Sequence, residues 1–158
     1  MIEAAQLCKH FGSVAAVREV SLRAEDGRIT GLLGPNGAGK STTLRMLYSV
    51  LRPDAGDALI DGHSAVHAPL AALRRLGVLT HSAGIYPNLT ARENVLYFGA
   101  LHGLTRSAAR SRAAALIELL EMQEFADRRA KGFSQGQRLK TALKSKTPRD
   151  SRGATLYE

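Results

Sequence analysis

Tryptophan is absent from this chain of 158 residues, and aromatic residues make up only 5% of it. Proteins that hold single-stranded nucleic acid usually stack the bases on several aromatic side chains, so this composition argues against such a surface. The net charge of +8 would suit a polyanion, but the 22 lysines and arginines are scattered along the chain. A solvated basic exterior explains the charge, and no nucleic acid is expected as a partner.

Cysteine and long apolar runs are also scarce. Cys8 is the single cysteine, so no internal disulfide is possible, and a buried strand position is expected for it. No apolar stretch reaches the roughly 18 residues of a membrane-spanning helix, and residues 1–7 do not have the pattern of a signal peptide. Hydrophobic residues are 44% and charged residues 23% of the chain, which is typical of a globular domain. Any link to a membrane is expected to come through a partner.

Short β-forming runs dominate the first half of the chain, and helical patterns dominate the second. The runs and turns predict strands over 2–7, 16–22, 28–33, 57–61 and 76–80, and a helix over 40–50. Thr90 and Glu93 have the spacing of a capping box, which predicts a helix that ends near Gly103. A further helix is predicted over 107–122.

A glycine-rich segment follows the predicted strand at 28–33 and opens the next helix. It satisfies the P-loop pattern with Gly34, Pro35, Asn36, Gly37, Ala38, Gly39, Lys40 and Ser41. Glycines in such a loop let backbone N–H groups converge on phosphate oxygens, and the helix N-terminus adds its positive dipole. Lys40 is placed to reach the outer phosphates of a nucleotide, and Ser41 to ligate Mg²⁺. The alternative is an ordinary glycine-rich turn, which the strand–loop–helix context disfavours.

Residues 28–42 resemble the Walker A segment of ABC ATPases. Two further segments extend this resemblance. Residues 9–12, Lys-His-Phe-Gly, are similar to the A-loop of that family, and residues 133–137, Phe-Ser-Gln-Gly-Gln, are similar to a variant of its signature. The resemblance implies that residues 34–42, Thr42 included, bind ATP and that Phe11 stacks on the adenine ring. It also implies an α/β fold: a P-loop NTPase (RecA-like) core with a β subdomain and an inserted helical subdomain, C-terminally incomplete.

Ser134 and Gln137 have capping-box spacing, so Ser134 is expected to begin a helix whose N–H groups can face an anion. Gly136 permits close backbone approach, although a purely structural cap is an open alternative. The resemblance implies that the signature residues Ser134, Gln135, Gly136 and Gln137 meet the γ-phosphate held by a second ATP-binding subunit. The partner would then be a second ATP-binding subunit in a head-to-tail dimer.

Residues 85–94 strongly resemble the stretch that follows the Q-loop of exporter-type ABC ATPases. Together with the signature variant, they are most similar to the NatA-type sodium-export and related drug-export group. This implies membrane-spanning permease subunits as partners and a cytoplasmic position at the inner face of the cell membrane. Counting back places His81 at the Q-loop glutamine, where it would keep part of a role near Mg²⁺ and the attacking water. A plain surface histidine is the alternative.

The resemblance ends near residue 143. Lys144 to Arg149 replace an apolar helix, and Pro148 would break it. The Walker B Asp and Glu positions fall on Tyr157 and Glu158, so only Glu158 matches by residue type, and residues 153–156 are a poor candidate for a buried strand. The D-loop and the H-loop histidine are missing. We therefore expect a truncated chain with a core at 1–81, a helical subdomain at 82–143 and a divergent tail at 144–158.

Two functions follow as alternatives. The first is the ATP-binding subunit of an ABC exporter, an ATPase that couples ATP hydrolysis to transport, with Lys40, His81 and Glu158 as its catalytic candidates. The second is a nucleotide-binding fragment that does not hydrolyse ATP or serves no function. An ABC ATPase that acts on nucleic acid or ribosomes would need a second nucleotide-binding domain or a binding insertion, and the sequence contains neither.

Overall fold

The computed structural model describes residues 1–79, 84–145 and 154–157. It has two compact units, one with residues 1–78 and the strand at 154–157, the other with the described residues from 79 to 145. The division predicted from the sequence, into a core at 1–81, a helical subdomain at 82–143 and a tail at 144–158, stays a prediction. Among the helices of the described residues, none is long and apolar enough to cross a membrane.

An antiparallel sheet of four strands forms the body of the first unit, in the order β2-β1-β3-β4. The strands are β1 (Ile2–Phe11), β2 (Val14–Ala24), β3 (Ala55–Ile60) and β4 (His63–Ser64). Ile2 pairs with Ala24 of β2 and with Ile60 of β3, which places β1 in the middle. Helix α1 (Lys40–Leu47) and helix α2 (Pro69–Leu73) belong to the same unit. Leu7, Met46, Leu47 and Ile60 are buried together in its core.

The end of the chain forms a strand, contrary to the expectation from its sequence. Strand β5 (Leu76–Leu79) pairs with strand β6 (Ala154–Tyr157) in a second, two-stranded sheet. Leu156 is half-buried and packs against the core of the first unit. Pairing with β5 gives the backbone N–H and C=O groups of β6 their hydrogen-bond partners. The weak apolar pattern of residues 153–156 could not predict this strand, because the pairing is with a distant segment.

The strand predicted at 28–33 is not formed. Ile29 and Leu33 are almost fully exposed, at 104% and 92%. Residues 28–33 pair with no strand of either described sheet. A β-forming sequence without a ladder partner leaves its backbone groups to water, so propensity alone does not make it a strand.

The second unit is helical. Its helices are α3 (Ala91–Leu101), α4 (Arg106–Leu119) and α5 (Gln135–Ser145), with 3₁₀ turns at Gln123–Phe125 and Ala130–Gly132. The predicted capping box of α3 is confirmed: the Glu93 N–H donates to Thr90 Oγ1 at 3.1 Å, and the Thr90 N–H donates to Glu93 Oε2 at 2.8 Å. Helix α4 ends earlier than predicted, because Glu121 turns the chain with φ 52° and sends Met122 into the core beside Phe125.

Candidate functional site

The glycine-rich loop ends in a backbone conformation that glycine alone adopts readily. Gly37 and Gly39 have φ values of 83° and 81°, and Gly39 is the N-cap of α1. A Cβ atom on Gly39 would lie 2.3 Å from the carbonyl oxygen of Ala16 in β2 and 3.1 Å from Val17 Cγ2. Gly39 is therefore required for its φ angle and for its close approach to β2.

The start of α1 presents donors to an anion. The first helical backbone bond is the one that the Thr43 N–H donates to Gly39 O at 2.8 Å, so the N–H groups of residues 40–42 have no acceptor within the helix. The first turn contains no acidic residue, and residues 31–38 are exposed. Free N–H groups, the helix dipole and an open loop together fit a phosphate group.

Lys40 lies folded over the loop that precedes it. Its ammonium group donates to Gly34 O and to Pro35 O, both at 2.7 Å. Within the described residues, no carboxylate pairs with Lys40. The charge of Lys40 is thus held at the loop by two neutral acceptors and remains available to an anion. Ser41 is exposed one residue further on, and its hydroxyl oxygen is a ligand type that suits Mg²⁺.

Phe11 ends strand β1, where it pairs with Val14 of β2. Its side chain is 51% exposed, so it is not a core residue. The ammonium of Lys9 lies 5.9 Å from the centre of the ring, within the range of a cation–π contact. An exposed aromatic face with a fixed neighbour is suited to stacking on a flat ring.

Residues 134–137 lie in the second unit at the start of α5. The Ser134 N–H donates to Gln137 Oε1 at 3.0 Å, and the Gln137 N–H donates to Ser134 Oγ at 3.3 Å, which confirms the predicted capping box. Gln135 and Gly136 are exposed, and no described atom lies within 4 Å of a Cβ atom built on Gly136. The first turn of α5 contains no acidic residue, so the field at this helix start is positive.

Two of the predicted catalytic residues lie outside the described residues. These are His81 and Glu158. Tyr157 is the last residue of β6, so the main chain of the predicted Walker B position is in a strand. Lys40 is thus the one catalytic candidate whose surroundings the structure describes.

Sequence reasoning missed a carboxylate beside the strand that carries Phe11. Asp54 Oδ1 accepts from Lys9 Nζ at 2.6 Å, and Asp54 Oδ2 accepts from the backbone N–H of His10 at 2.7 Å. The Lys9 ammonium and the His10 N–H hold the pKa of Asp54 below its usual range. No local pattern signals this cluster, because Asp54 meets β1 from the turn before β3.

Comparison with known proteins decides the family. A family model described as "ABC transporter" matches residues 17–148. The chain belongs to the ABC transporter family. Among curated relatives it is 44% identical over 131 residues to the ABC transporter ATP-binding protein NatA of Bacillus subtilis (strain 168), covering 82% of this chain and 53% of NatA. It is 41% identical over 137 residues to the daunorubicin/doxorubicin resistance ATP-binding protein DrrA of Streptomyces peucetius, covering 87% of this chain and 42% of DrrA.

These relatives confirm the predicted resemblance to the ATP-binding subunits of NatA-type and drug-export ABC transporters. The chain spans about half the length of the curated relatives it matches, at 53% for NatA and 42% for DrrA. This ABC protein therefore corresponds to a part of their length.

Solved structures confirm the predicted P-loop NTPase fold of the ABC type. The ATP-binding cassette MJ0796, described as dimeric and bound to ADP and Pi, matches with a TM-score of 0.74 and 25% identity, covering 92% of this chain and 68% of that chain. The protein cbiO1 of Clostridium perfringens, described as part of an ABC transporter complex, matches in fold with a TM-score of 0.81 and 18% identity, covering 91% of this ABC protein and 59% of cbiO1.

Proposed function

We propose that this chain binds Mg-ATP through residues 34–42 as part of the ATP-binding subunit of an ABC transporter. The observation that carries the proposal is the loop in front of α1. Gly39 brings the loop against β2, the N–H groups of residues 40–42 lack acceptors within the helix, and the ammonium of Lys40 lies over the loop. A triphosphate carries the charge and the many acceptor oxygens that these groups match.

Lys40 changes partners when a phosphate group enters. Its present acceptors, Gly34 O and Pro35 O, are neutral carbonyl groups. A phosphate oxygen carries formal charge, and a hydrogen bond between two charged groups is about twice as strong as a neutral one. Lys40 is therefore the side chain whose removal should weaken triphosphate binding most. Mg²⁺, when bound, would bridge and neutralise the outer phosphates, with Ser41 as its ligand from this chain.

Phe11 supplies the part of the binding energy that depends on the base. Its half-exposed ring offers a face for adenine, and base–aromatic stacking contributes about 1 to 3 kcal/mol per base. Because stacking makes no hydrogen bond to the base edge, it adds affinity without selecting strongly among purines. Phe11 and the P-loop then share the ligand: the ring holds the base, and residues 34–42 hold the phosphates.

The whole subunit is proposed to work as a head-to-tail dimer on the cytoplasmic face of a membrane, together with permease subunits. Ser134, Gln135, Gly136 and Gln137 would meet the γ-phosphate held by the second copy. Support comes from the exposed start of α5 and from the similar MJ0796 cassette, which is dimeric with ADP and Pi bound. His81 and Glu158 are proposed as the Q-loop and water-polarising residues.

Export is the proposed direction of transport. Relatives named for drug resistance and for Nod factor export are 41% and 35% identical to this chain, and NatA is 44% identical. The sulfate/thiosulfate import protein CysA of Synechococcus elongatus is 34% identical, which matches the similarity of the Nod factor export protein, so the proposed direction rests on DrrA at 41%. Tyr157 favours a second candidate, a chain that binds ATP without turning it over, because tyrosine cannot hold a Mg²⁺-bound water as a carboxylate does.

Calorimetric titration of Mg-ATP into the parent chain, Lys40→Ala and Arg74→Ala tests the proposal. Lys40→Ala should weaken binding at least about tenfold, since it removes a charge-assisted hydrogen bond. Arg74→Ala removes the same charge from an exposed position at the end of α2 and should bind as the parent does. Equal affinity of all three proteins would refute the P-loop assignment.

Phosphate release by the same proteins separates the two candidates. Binding without release supports the non-hydrolysing candidate, and release that is lost in Lys40→Ala supports an ATPase.

A further inference from the structure

Asp54 contacts three consecutive residues near the end of β1, two through its carboxylate and one through its backbone N–H. Its two oxygens accept from Lys9 Nζ at 2.6 Å and from the His10 N–H at 2.7 Å, and the Asp54 N–H donates to Cys8 O at 2.9 Å. The His10 ring also lies near, with Nδ1 3.5 Å from Asp54 Oδ2. Phe11 follows directly in the chain.

The contact between Asp54 and β1 lies where β1 is no longer paired with β3. The described ladder between β1 and β3 ends at the pair Cys8 and Ala55, whereas the ladder with β2 continues to Phe11 and Val14. The His10 N–H therefore finds its acceptor in a side chain of the turn before β3. The carboxylate of Asp54 therefore takes the place of the hydrogen bonds that β3 makes with the earlier part of β1.

Lys9 links Asp54 to the ring of Phe11. Its side chain is only 15% exposed, and its ammonium both donates to Asp54 Oδ1 and lies over the Phe11 ring, 5.9 Å from the ring centre. A cation over one face of a ring restrains the ring and leaves the opposite face for another flat group. Asp54 fixes the ammonium, so it also restrains the ring.

We propose that Asp54 and Lys9 are positioning residues that orient Phe11 for the purine base, so that their ion pair sets the base-dependent part of nucleotide affinity. The proposal rests on the proposed function, since it takes Phe11 to be the adenine contact. Neither residue needs to touch the nucleotide. The lowered pKa of Asp54 agrees with a carboxylate that stays ionised and paired at neutral pH.

Two ligands separate the base from the phosphates: Mg-ATP and inorganic tripolyphosphate with Mg²⁺. Asp54→Ala should weaken ATP by about 3- to 10-fold, which lies between the effect of one cation–π contact and that of the whole stacking interaction, and should leave tripolyphosphate unchanged. Lys9→Met should behave similarly. Lys9→Arg should bind ATP as the parent does, because arginine can keep both the ion pair and the contact with the ring.

Glu3→Gln is the matched control. It removes the charge of Glu3, and with it the ion pair with Arg23 at 3.6 Å, at the other end of the same strand. Neither ligand should bind it differently. In a Phe11→Ala background, Asp54→Ala should have no further effect on ATP, because the ring that it positions is gone.

Equal weakening of ATP and tripolyphosphate in Asp54→Ala would overturn the proposal, since Asp54 would then support the fold of the whole unit. If Asp54→Ala does not fold, the comparison of Lys9→Met with Lys9→Arg decides in its place. A third outcome would refute this inference and leave the proposed function in place. In that outcome ATP binding depends on Lys40, but the ratio of ATP affinity to tripolyphosphate affinity is unchanged in every variant of Asp54 and Lys9. A parent chain that does not bind ATP would refute the proposed function, and this inference with it.

Discussion

Replacing Gly39 by alanine should destabilise the first unit far more than the same replacement at Gly37. Both glycines have a left-handed backbone conformation, with φ values of 81° and 83°. An alanine at either position therefore carries a conformational strain of about 1 to 2 kcal/mol. Their surroundings differ. A Cβ on Gly37 has no described atom within 4 Å, whereas on Gly39 it would lie 2.3 Å from Ala16 O. That overlap can be relieved only by shifting α1 from β2, which adds about 1 to 3 kcal/mol.

The measurement is chemical denaturation without nucleotide, followed by far-ultraviolet circular dichroism, for the parent and the two variants. We expect a loss of about 1 to 2 kcal/mol for Gly37→Ala and about 2 to 5 kcal/mol for Gly39→Ala. Total stabilities of about 5 to 15 kcal/mol leave room to measure both. Equal losses would show that the contact with Ala16 does not resist the added methyl group, and would refute the reasoning from close approach.

Two further predictions concern the second unit. Asn94 is fully buried; its side chain accepts from the Tyr86 N–H at 2.8 Å and donates to Tyr86 O at 3.1 Å and to Thr90 O at 2.9 Å. Asn94→Ala should therefore cost about 2 to 4 kcal/mol in urea denaturation, and a loss below about 1 kcal/mol would contradict this. Hydrogen bonding to Arg92 holds the pKa of Asp127 below its usual range, so the ion pair stabilises the fold above about pH 4 and the effect is lost as the pH falls through the folded pKa. Melting temperatures between pH 6 and pH 3 should fall less steeply for Asp127→Asn than for the parent, and parallel curves would show that the pair contributes nothing.

The features that the sequence predicted well are local. The capping boxes at Thr90 and Ser134 each need only residues within one helical turn, and both form as expected. Helix α1 likewise begins at Lys40 as predicted, because the glycine before it and the apolar spacing after it lie within a few residues. Such features depend on short-range hydrogen bonds, which neighbouring residues alone determine.

The strands show the opposite case. Residues 28–33 have a stronger β-forming pattern than residues 154–157, yet only the second segment forms a strand. The difference is the partner: β6 has β5 beside it, and Ile29 and Leu33 have no described strand beside them. Pairing joins residues far apart in the chain, so a pattern read along the sequence cannot supply it.

The same limit applied to Asp54. Its role at the end of β1 depends on the turn before β3 reaching Lys9 and His10, and no spacing in the sequence encodes that distance. The A-loop resemblance covers Phe11 and Lys9 but does not include Asp54, which pairs with Lys9. A side chain that acts on a site through another side chain is found from the fold, because its signal is a contact and not a pattern.

The P-loop combines both situations in one motif. The pattern requires glycine at residue 39 and leaves residue 37 open, and the reason it gives for its glycines is room for the phosphates. The structure adds a separate reason at each position: Gly37 is needed for its φ angle, and Gly39 must also leave space for the carbonyl of Ala16 in β2. Because β2 precedes the loop by a long segment, only the fold makes this second requirement visible. Gly39 therefore couples the position of α1, and of the N–H groups at its start, to the sheet that carries Phe11.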